Sequence, residues 1–326
     1  MKKEVAHLRR LCTQAKRILL TGPILPDGDS IGACLALRRV IQSVSSASVE
    51  ITGKIPYRYQ WMPDIDRIKE DLLPQDHYDV AIVLDGDRYR LPKTIERVYN
   101  RSKYTVLIDH HASTDPDVYT VALLDTTAAS TCQIILTIMD LWDVPLNPDI
   151  AEMIYTGLIF DTGGFRHSNT TATVHQLASR LLGTGIDHSQ IFNSVLIERK
   201  QSGLALLAHA ISNRILLANN RIVFSTISQA DFIALNCTQG DIDGIIDSLV
   251  FTTNVELACL CIERGQNQVK LSLRSRKEVN VAALAQQIHP DGGGHIRAAG
   301  AMLQESFASA THRLPPILCK ALIEAN

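Results

Sequence analysis

The stretch DVAIVLDGD, residues 79–87, decides the fold. Its apolar run is too short for an ordinary helix and does not alternate with polar residues. It therefore reads as a strand buried on both faces, as in a parallel sheet. RILLTG (17–22), VEITG (49–53) and YTVLID (104–109) have the same build, and most of these runs close on a Gly or Asp cluster. Between or after them lie helical patterns. SIGACLALRRVIQ (30–42) spaces Ala33, Leu37 and Val40 along one face, and STCQIILTIMDLW (130–142) and PDIAEMIYTGLIF (148–160) are similar. Pro148 and Asp149 suit a helix start. Repeated strand–helix order implies an α/β domain around a parallel sheet.

The pattern changes after about residue 190. IERKQSGLALLAHAIS (197–212) reads as a helix linking two domains. RIVFSTIS (221–228), VELACLCIE (255–263) and QVKLSLRS (268–275) read as strands, the last two joined by the hairpin turn RGQN. Helical patterns at 241–250 and 280–288 accompany them. This predicts a first domain over 1–195 and a smaller α+β domain over 196–326, with a linker helix at about 196–212.

Composition narrows the function. The 326 residues carry 32 Lys+Arg against 34 Asp+Glu, a net charge of −2 that argues against coating long nucleic acid by bulk electrostatics. No apolar run approaches the roughly 18 residues of a membrane span, and the charged start MKKEVAHLRRLCTQAKRILL lacks the apolar core of a secretory signal. The seven Cys have no framework spacing, and Cys259 and Cys261 read as small core residues on one strand face. A reduced, cytoplasmic protein is expected.

The acids of the first domain fall where ligands bind. Asp27 and Asp29 follow the first strand, Asp85 and Asp87 follow 79–84, Asp109 ends 104–109 with His110 and His111 next, and Asp161 follows MIYTGLIF. In a parallel sheet the carboxyl ends of strands share one edge. A single Asp there is more often a cap or turn former, and Asp29 is placed to cap the helix after it. Several carboxylates gathered at one edge repel one another unless cations lie between them. An oxygen-rich set with imidazole suits Mn or Mg, and two such ions can generate hydroxide and clamp a phosphoryl group.

ILPDGDSIG (24–32), VLDGD (83–87), IDHH (108–111) and GLIFDTGGFRHSNTT (157–171) resemble the four motifs of the DHH phosphoesterases, and HPDGGGHIRAAG (289–300) resembles the signature of the DHH-associated domain. The resemblance covers nearly the whole chain and points to the stand-alone nanoRNA and linear-dinucleotide phosphodiesterases. It implies one metal position from Asp29, Asp85, His110 and Asp161, and another from Asp27 and the bridging Asp85. His111 takes the place of a residue at the scissile phosphate, and Asp109 that of one orienting a histidine. One departure stands out. The family usually places a histidine ligand where this chain has Pro23, and Asp87 is the candidate replacement.

In the second domain, Gly292, Gly293, Gly294 and His295 read as an anion cradle before a helix start. Lys270, Ser272, Arg274 and Arg276 alternate with Leu271, Leu273 and Ser275, so one strand face is basic and polar. The resemblance tips Ser272 and Arg274 toward substrate contact, while Arg166, His167 and Asn169 follow Asp161 closely enough to line the site. The expected function is hydrolysis of linear dinucleotides such as pGpG and very short RNA to nucleoside monophosphates. Two Mn2+ ions would serve it, with Mg2+ or Co2+ as alternatives. The other readings are a 3′-phosphoadenosine 5′-phosphate phosphatase and a catalytically impaired nucleotide-binding protein. No long nucleic acid or membrane partner is expected; relatives form dimers, so a homodimer is.

Overall fold

The computed structural model describes residues 1–70, 72–73, 77–112 and 114–325. The chain divides into two compact units, Met1–Glu198 and Arg199–Asn326. None of the seven cysteines is in a disulfide. Among the described residues, no helix is long and apolar enough to cross a membrane.

Unit 1 is built on six strands: β1 (Arg17–Thr21), β2 (Ser48–Thr52), β3 (Ile68–Lys69), β4 (Val80–Leu84), β5 (Tyr104–Asp109) and β6 (Val121–Leu124). They run in the order β3-β2-β1-β4-β5-β6, with every neighbouring pair parallel. All five residues of β4 are buried, which the unbroken run VAIVL demands of a central strand. Helices α1 (Lys2–Gln14), α2 (Gly28–Val44), α4 (Thr131–Leu141) and α5 (Pro148–Asp161) share one core with one face of the sheet, and α6 (Ala172–Leu182) adds to it. On the other face, α3 (Lys93–Arg101) packs Ile95, Val98 and Tyr99 against Leu19, Ala81, Val83 and Leu107. Each fully buried Val or Leu contributes about 1.5–3 kcal/mol, so these two layers hold the strand ends in register. A short α7 (His188–Phe192) closes the unit.

Unit 2 holds a mixed sheet. Its elements are α8 (Gln201–Ser212), β7 (Ile215–Leu217), β8 (Ile222–Ile227), α9 (Gln229–Ala234), α10 (Ile245–Val250), β9 (Leu257–Gly265), β10 (Gln268–Ser275), α11 (Val281–Ile288), β11 (Gly293–His295), β12 (Ala298–Leu303) and α12 (Phe307–Glu324). The order is β11-β12-β10-β9-β8-β7, antiparallel except for the parallel pair β8 and β9. Cys259 and Cys261 are both buried on one face, their sulfurs 4.0 Å apart, as small core residues.

Three details differ from the sequence reading. The linking helix begins at Gln201 rather than 197, after a turn of π-helix at Asn193–Ile197. Asp161 is the last residue of helix α5, not a strand-end residue. No helix follows the glycine run: Gly293–His295 and Ala298–Leu303 form an antiparallel hairpin, so no helix terminus helps the cradle. Small alternating residues in RAAGAML suit either state, and pairing with β10 selects the strand.

Candidate active site

The first acids enter through the start of α2. Asp27, rather than Asp29, is its N-cap: Oδ1 accepts hydrogen bonds from the Asp29 and Ser30 amides at 3.0 and 3.1 Å, and the Asp27 amide donates to Ser30 Oγ at 2.9 Å. This capping box is worth about 1 kcal/mol to the helix. Asp29 is thereby carried into the first turn and buried. Its carboxylate accepts from the amides of Thr131 at 2.5 Å and Cys132 at 2.8 Å, at the start of α4. That helix end favours negative charge.

The close approach depends on Gly157 of α5. A Cβ there would lie 2.4 Å from Asp29 Oδ1 and 2.5 Å from Cys132 Sγ, so no larger residue fits. Asp85, directly after β4, has a positive φ of 59°, a left-handed backbone that Asp tolerates better than most residues. Its amide donates to Ile108 O at 3.1 Å, which sets it level with the end of β5. Such strain costs about 1–3 kcal/mol and concentrates at functional sites.

Asp109 organises both histidines. It is fully buried, and Oδ1 accepts from the His110 amide at 2.8 Å and from His111 Nδ1 at 2.7 Å, while Thr114 Oγ1 donates to Oδ2 at 2.6 Å. Burial alone would raise its pKa, but the His111 and Thr114 hydrogen bonds hold it below the usual carboxylate range. An ionised Asp109 can only accept, so His111 Nδ1 carries the proton. His110 Nδ1 lies 3.3 Å from the Ala128 carbonyl, another pure acceptor. Its Nε2 consequently faces Asp161 at 3.2 Å and Asp85 at 3.6 Å.

Asp161 is fixed through its own carbonyl, which accepts from His167 Nδ1 at 3.0 Å and Asn169 Nδ2 at 3.2 Å. These two residues thus hold the end of α5. Arg166 turns its Nε back to Gly163 O at 2.7 Å.

The donors converge. Asp29, Asp85, His110 and Asp161 each offer a ligand atom, all within 4.8 Å of one another, and Asp85, His110 and His111 form a second such group. Asp27 and Asp87 are in neither group. Asp87 instead caps the turn Arg88–Arg90, accepting from the Tyr89 and Arg90 amides. Pro23 is buried beside Gly22, Pro26 and Ser30.

The charge balance explains what this cluster fits. Burial, reinforced by the Asp85 charge, pushes the Asp27 pKa up to about 7. Burial and the Asp29 charge drive Asp161 well above the usual carboxylate range, with His110 opposing. Burial disfavours a charged His110, yet Asp161 and Asp85 outweigh it and pull its pKa up to about 12. Asp161 Oδ2 is buried and accepts no hydrogen bond; its 3.2 Å contact with His110 is charge proximity without hydrogen-bond geometry. An orphaned carboxylate oxygen facing an imidazole and two further carboxylates fits a divalent cation.

Unit 2 gathers its candidates by register. Ser272 stands opposite Gly300, which stands opposite Gly293; Arg274 stands opposite Ala298, which stands opposite His295. Opposed residues share a sheet face, so these form two neighbouring rows on one face. Gly292 precedes the hairpin, and Gly294, paired with Ala299, points to the other face. A Cβ on Gly300 would lie 2.6 Å from Leu271 O, so glycine is needed for the pairing itself. Arg274 Nε donates to Asp247 Oδ1 of α10 at 3.0 Å.

Sequence reasoning missed Gly157, the Thr131 and Cys132 amides, and Thr114. The spacing of GLIFD marked Gly157 only as part of a motif.

The DHH family, N-terminal domain, matches residues 17–158, and the DHHA1 domain matches residues 219–320. The bifunctional oligoribonuclease and PAP phosphatase NrnA of Thermus thermophilus is 27% identical over 86% of this chain and 82% of its own length. An exopolyphosphatase-related protein from Bacteroides fragilis superposes with a TM-score of 0.86 at 23% identity, over 99% of this chain and 96% of that one. RecJ from Thermus thermophilus, solved in complex with Mn2+, gives 0.57 at 12% identity over 99% of this chain but 54% of its own. The two matched domains, in this order and over most of the chain, place the protein in the DHH family, with a DHHA1 domain as its second unit.

Proposed function

We propose that the protein is a metal-dependent phosphoesterase that hydrolyses linear dinucleotides and very short RNA to nucleoside monophosphates. The observation that carries this reading is the four-donor group of Asp29, Asp85, His110 and Asp161, with one Asp161 oxygen buried and without a hydrogen bond. These residues would hold one divalent ion, and Asp27 with Asp85 would reach a second. When bound, such ions, Mn2+ in our assignment, supply a water acidic enough to attack phosphorus and neutralise charge on the phosphoryl oxygens.

The chain's own residues do the rest. Asp109 holds the Nδ1 proton of His111, so Nε2 is the atom presented for contact with a phosphate oxygen. The Ala128 carbonyl fixes His110 in the same way, with Nε2 as the ligand atom. In unit 2, the face bearing Ser272, Arg274, Gly293 and His295 would bind the nucleotide, with Arg274 gripping a phosphate through its guanidinium fork.

The relatives named as both oligoribonuclease and PAP phosphatase support a second activity, phosphate removal from 3′-phosphoadenosine 5′-phosphate, at the same centre. Chromatography of pGpG, pApA, a pentanucleotide and that monoester, each incubated with the protein and Mn2+, tests both. Mononucleotide products from the dinucleotides are expected. Binding of all four with no product formed would reduce the protein to a nucleotide-binding module.

A further inference from the structure

Three of the four donor side chains lean on one short segment, Ala128–Cys132, where the chain enters α4. The Ala128 carbonyl lies 3.3 Å from His110 Nδ1. The Thr131 and Cys132 amides donate to the Asp29 carboxylate. Thr131 Oγ1 donates to Asp85 Oδ1 at 3.4 Å. The fourth donor, Asp161, ends a different helix, α5.

Asn169 joins the two. Its Nδ2 donates to Ala129 O at 3.1 Å and to Asp161 O at 3.2 Å. The Ala129 amide donates in turn to Gln133 Oε1 at 2.9 Å, so that peptide is held at both ends. Both partners of Nδ2 are carbonyls, which only accept, and this decides which way the Asn169 amide points. Two donors on one atom are what a side-chain amide offers and a hydroxyl does not.

An Asn in a turn ordinarily satisfies backbone close by in sequence. This one reaches a carbonyl 40 residues away. Its own Oδ1 is buried and accepts no hydrogen bond among the described residues, and the neighbouring Thr170 Oγ1 is buried and without a partner as well. A buried acceptor left without a donor is destabilising, and an apolar group of the same shape avoids that loss. Stability alone therefore does not account for an amide at 169.

We propose that Asn169 is a positioning residue for the metal centre. Its amide fixes the segment that orients His110, Asp29 and Asp85 against the helix end that bears Asp161. The inference rests on reading the four-donor group as a metal centre.

Titration of the full chain with Mn2+, with the free ion followed by electron paramagnetic resonance, tests it without turnover. Asn169→Leu should raise the Mn2+ Kd about tenfold or more, the loss expected when a residue that orients metal ligands is removed. Its metal-free Tm should stay within about 3 °C of the wild type, because the lost donor and the removed buried acceptor offset each other. Asn169→Ser, smaller and with one donor, gives the same comparison if leucine is not accommodated. Thr170→Val removes the neighbouring hydroxyl but no bond to either carbonyl, and should leave the Kd unchanged. An unchanged Kd in the Asn169 variants, an equal loss in Thr170→Val, or a loss of affinity matched by a fall in metal-free Tm would overturn the assignment and leave the metal reading in place. A wild type that takes up no Mn2+ would overturn both.

Discussion

The carboxyl edge of unit 1 and the Arg274 side of β10 in unit 2 carry opposite charges. The first collects Asp29, Asp85 and Asp161 around His110, leaving a buried carboxylate oxygen without a donor. The second carries Lys270, Ser272 and Arg274 on one side of β10, with Arg274 donating to Asp247. They also differ in construction. The acidic cluster is assembled from the ends of separate elements, so each ligand depends on packing between helices and strands. The basic face is laid out along β10, and the period-two alternation of one strand sets it. The first should therefore be sensitive to packing and the second tolerant of it.

The largest effect that would break this comparison is at Asp85, which belongs to both donor groups. Asp85→Ala should lower kcat with Mn2+ by a factor of about 10³ or more, and full turnover in that variant would remove Asp85 from the chemistry. Gly157→Ala comes next. Its methyl would press on Asp29 Oδ1, so a loss of about 2 kcal/mol in unfolding free energy is expected, with a matching loss of the gain in Tm on adding Mn2+. An unchanged Tm with and without metal would mean that α2 and α5 yield more easily than the structure implies. On the basic face, Arg274→Ala should raise KM for a phosphorylated dinucleotide about tenfold with kcat nearly unchanged; equal KM values would exclude Arg274 from substrate contact.

A pH slope is also expected. Asp27 has a folded pKa of about 7 against about 4 unfolded, so it contributes stability that is present below pH 4 and lost as pH rises toward 7. Metal-free protein should thus lose denaturant stability between about pH 4 and 7 from this group. Saturating divalent cation should flatten the slope by favouring the ionised carboxylates. The same slope with and without metal would separate Asp27 from the ion.

The parallel sheet was legible because VAIVL and its neighbours are unbroken apolar runs, and the alternation of β10 appears as written, with Lys270, Ser272 and Arg274 on one face. Several helices, α1 and α12 among them, were not. The charged start hides α1, whose apolar residues Val5, Leu8, Leu11 and Cys12 are buried at helical spacing. Proline inside a helix ordinarily breaks or kinks it, and α12 continues through Pro315 and Pro316. The acids were legible as a set, but their individual duties were not. Which of Asp27 and Asp29 caps α2 depends on the amides of Thr131 and Cys132, more than a hundred positions away. The strand reading of RAAGAML likewise depends on β10 lying beside it.

The central claim is that the acidic cluster exists to hold a divalent cation. A crystal of the full chain grown with Mn2+, with anomalous scattering recorded at the manganese edge, tests it directly. The account predicts a peak bounded by Asp29, Asp85, His110 and Asp161, with Asp161 Oδ2 as a ligand. These four side chains in their present places with no anomalous density among them would contradict it.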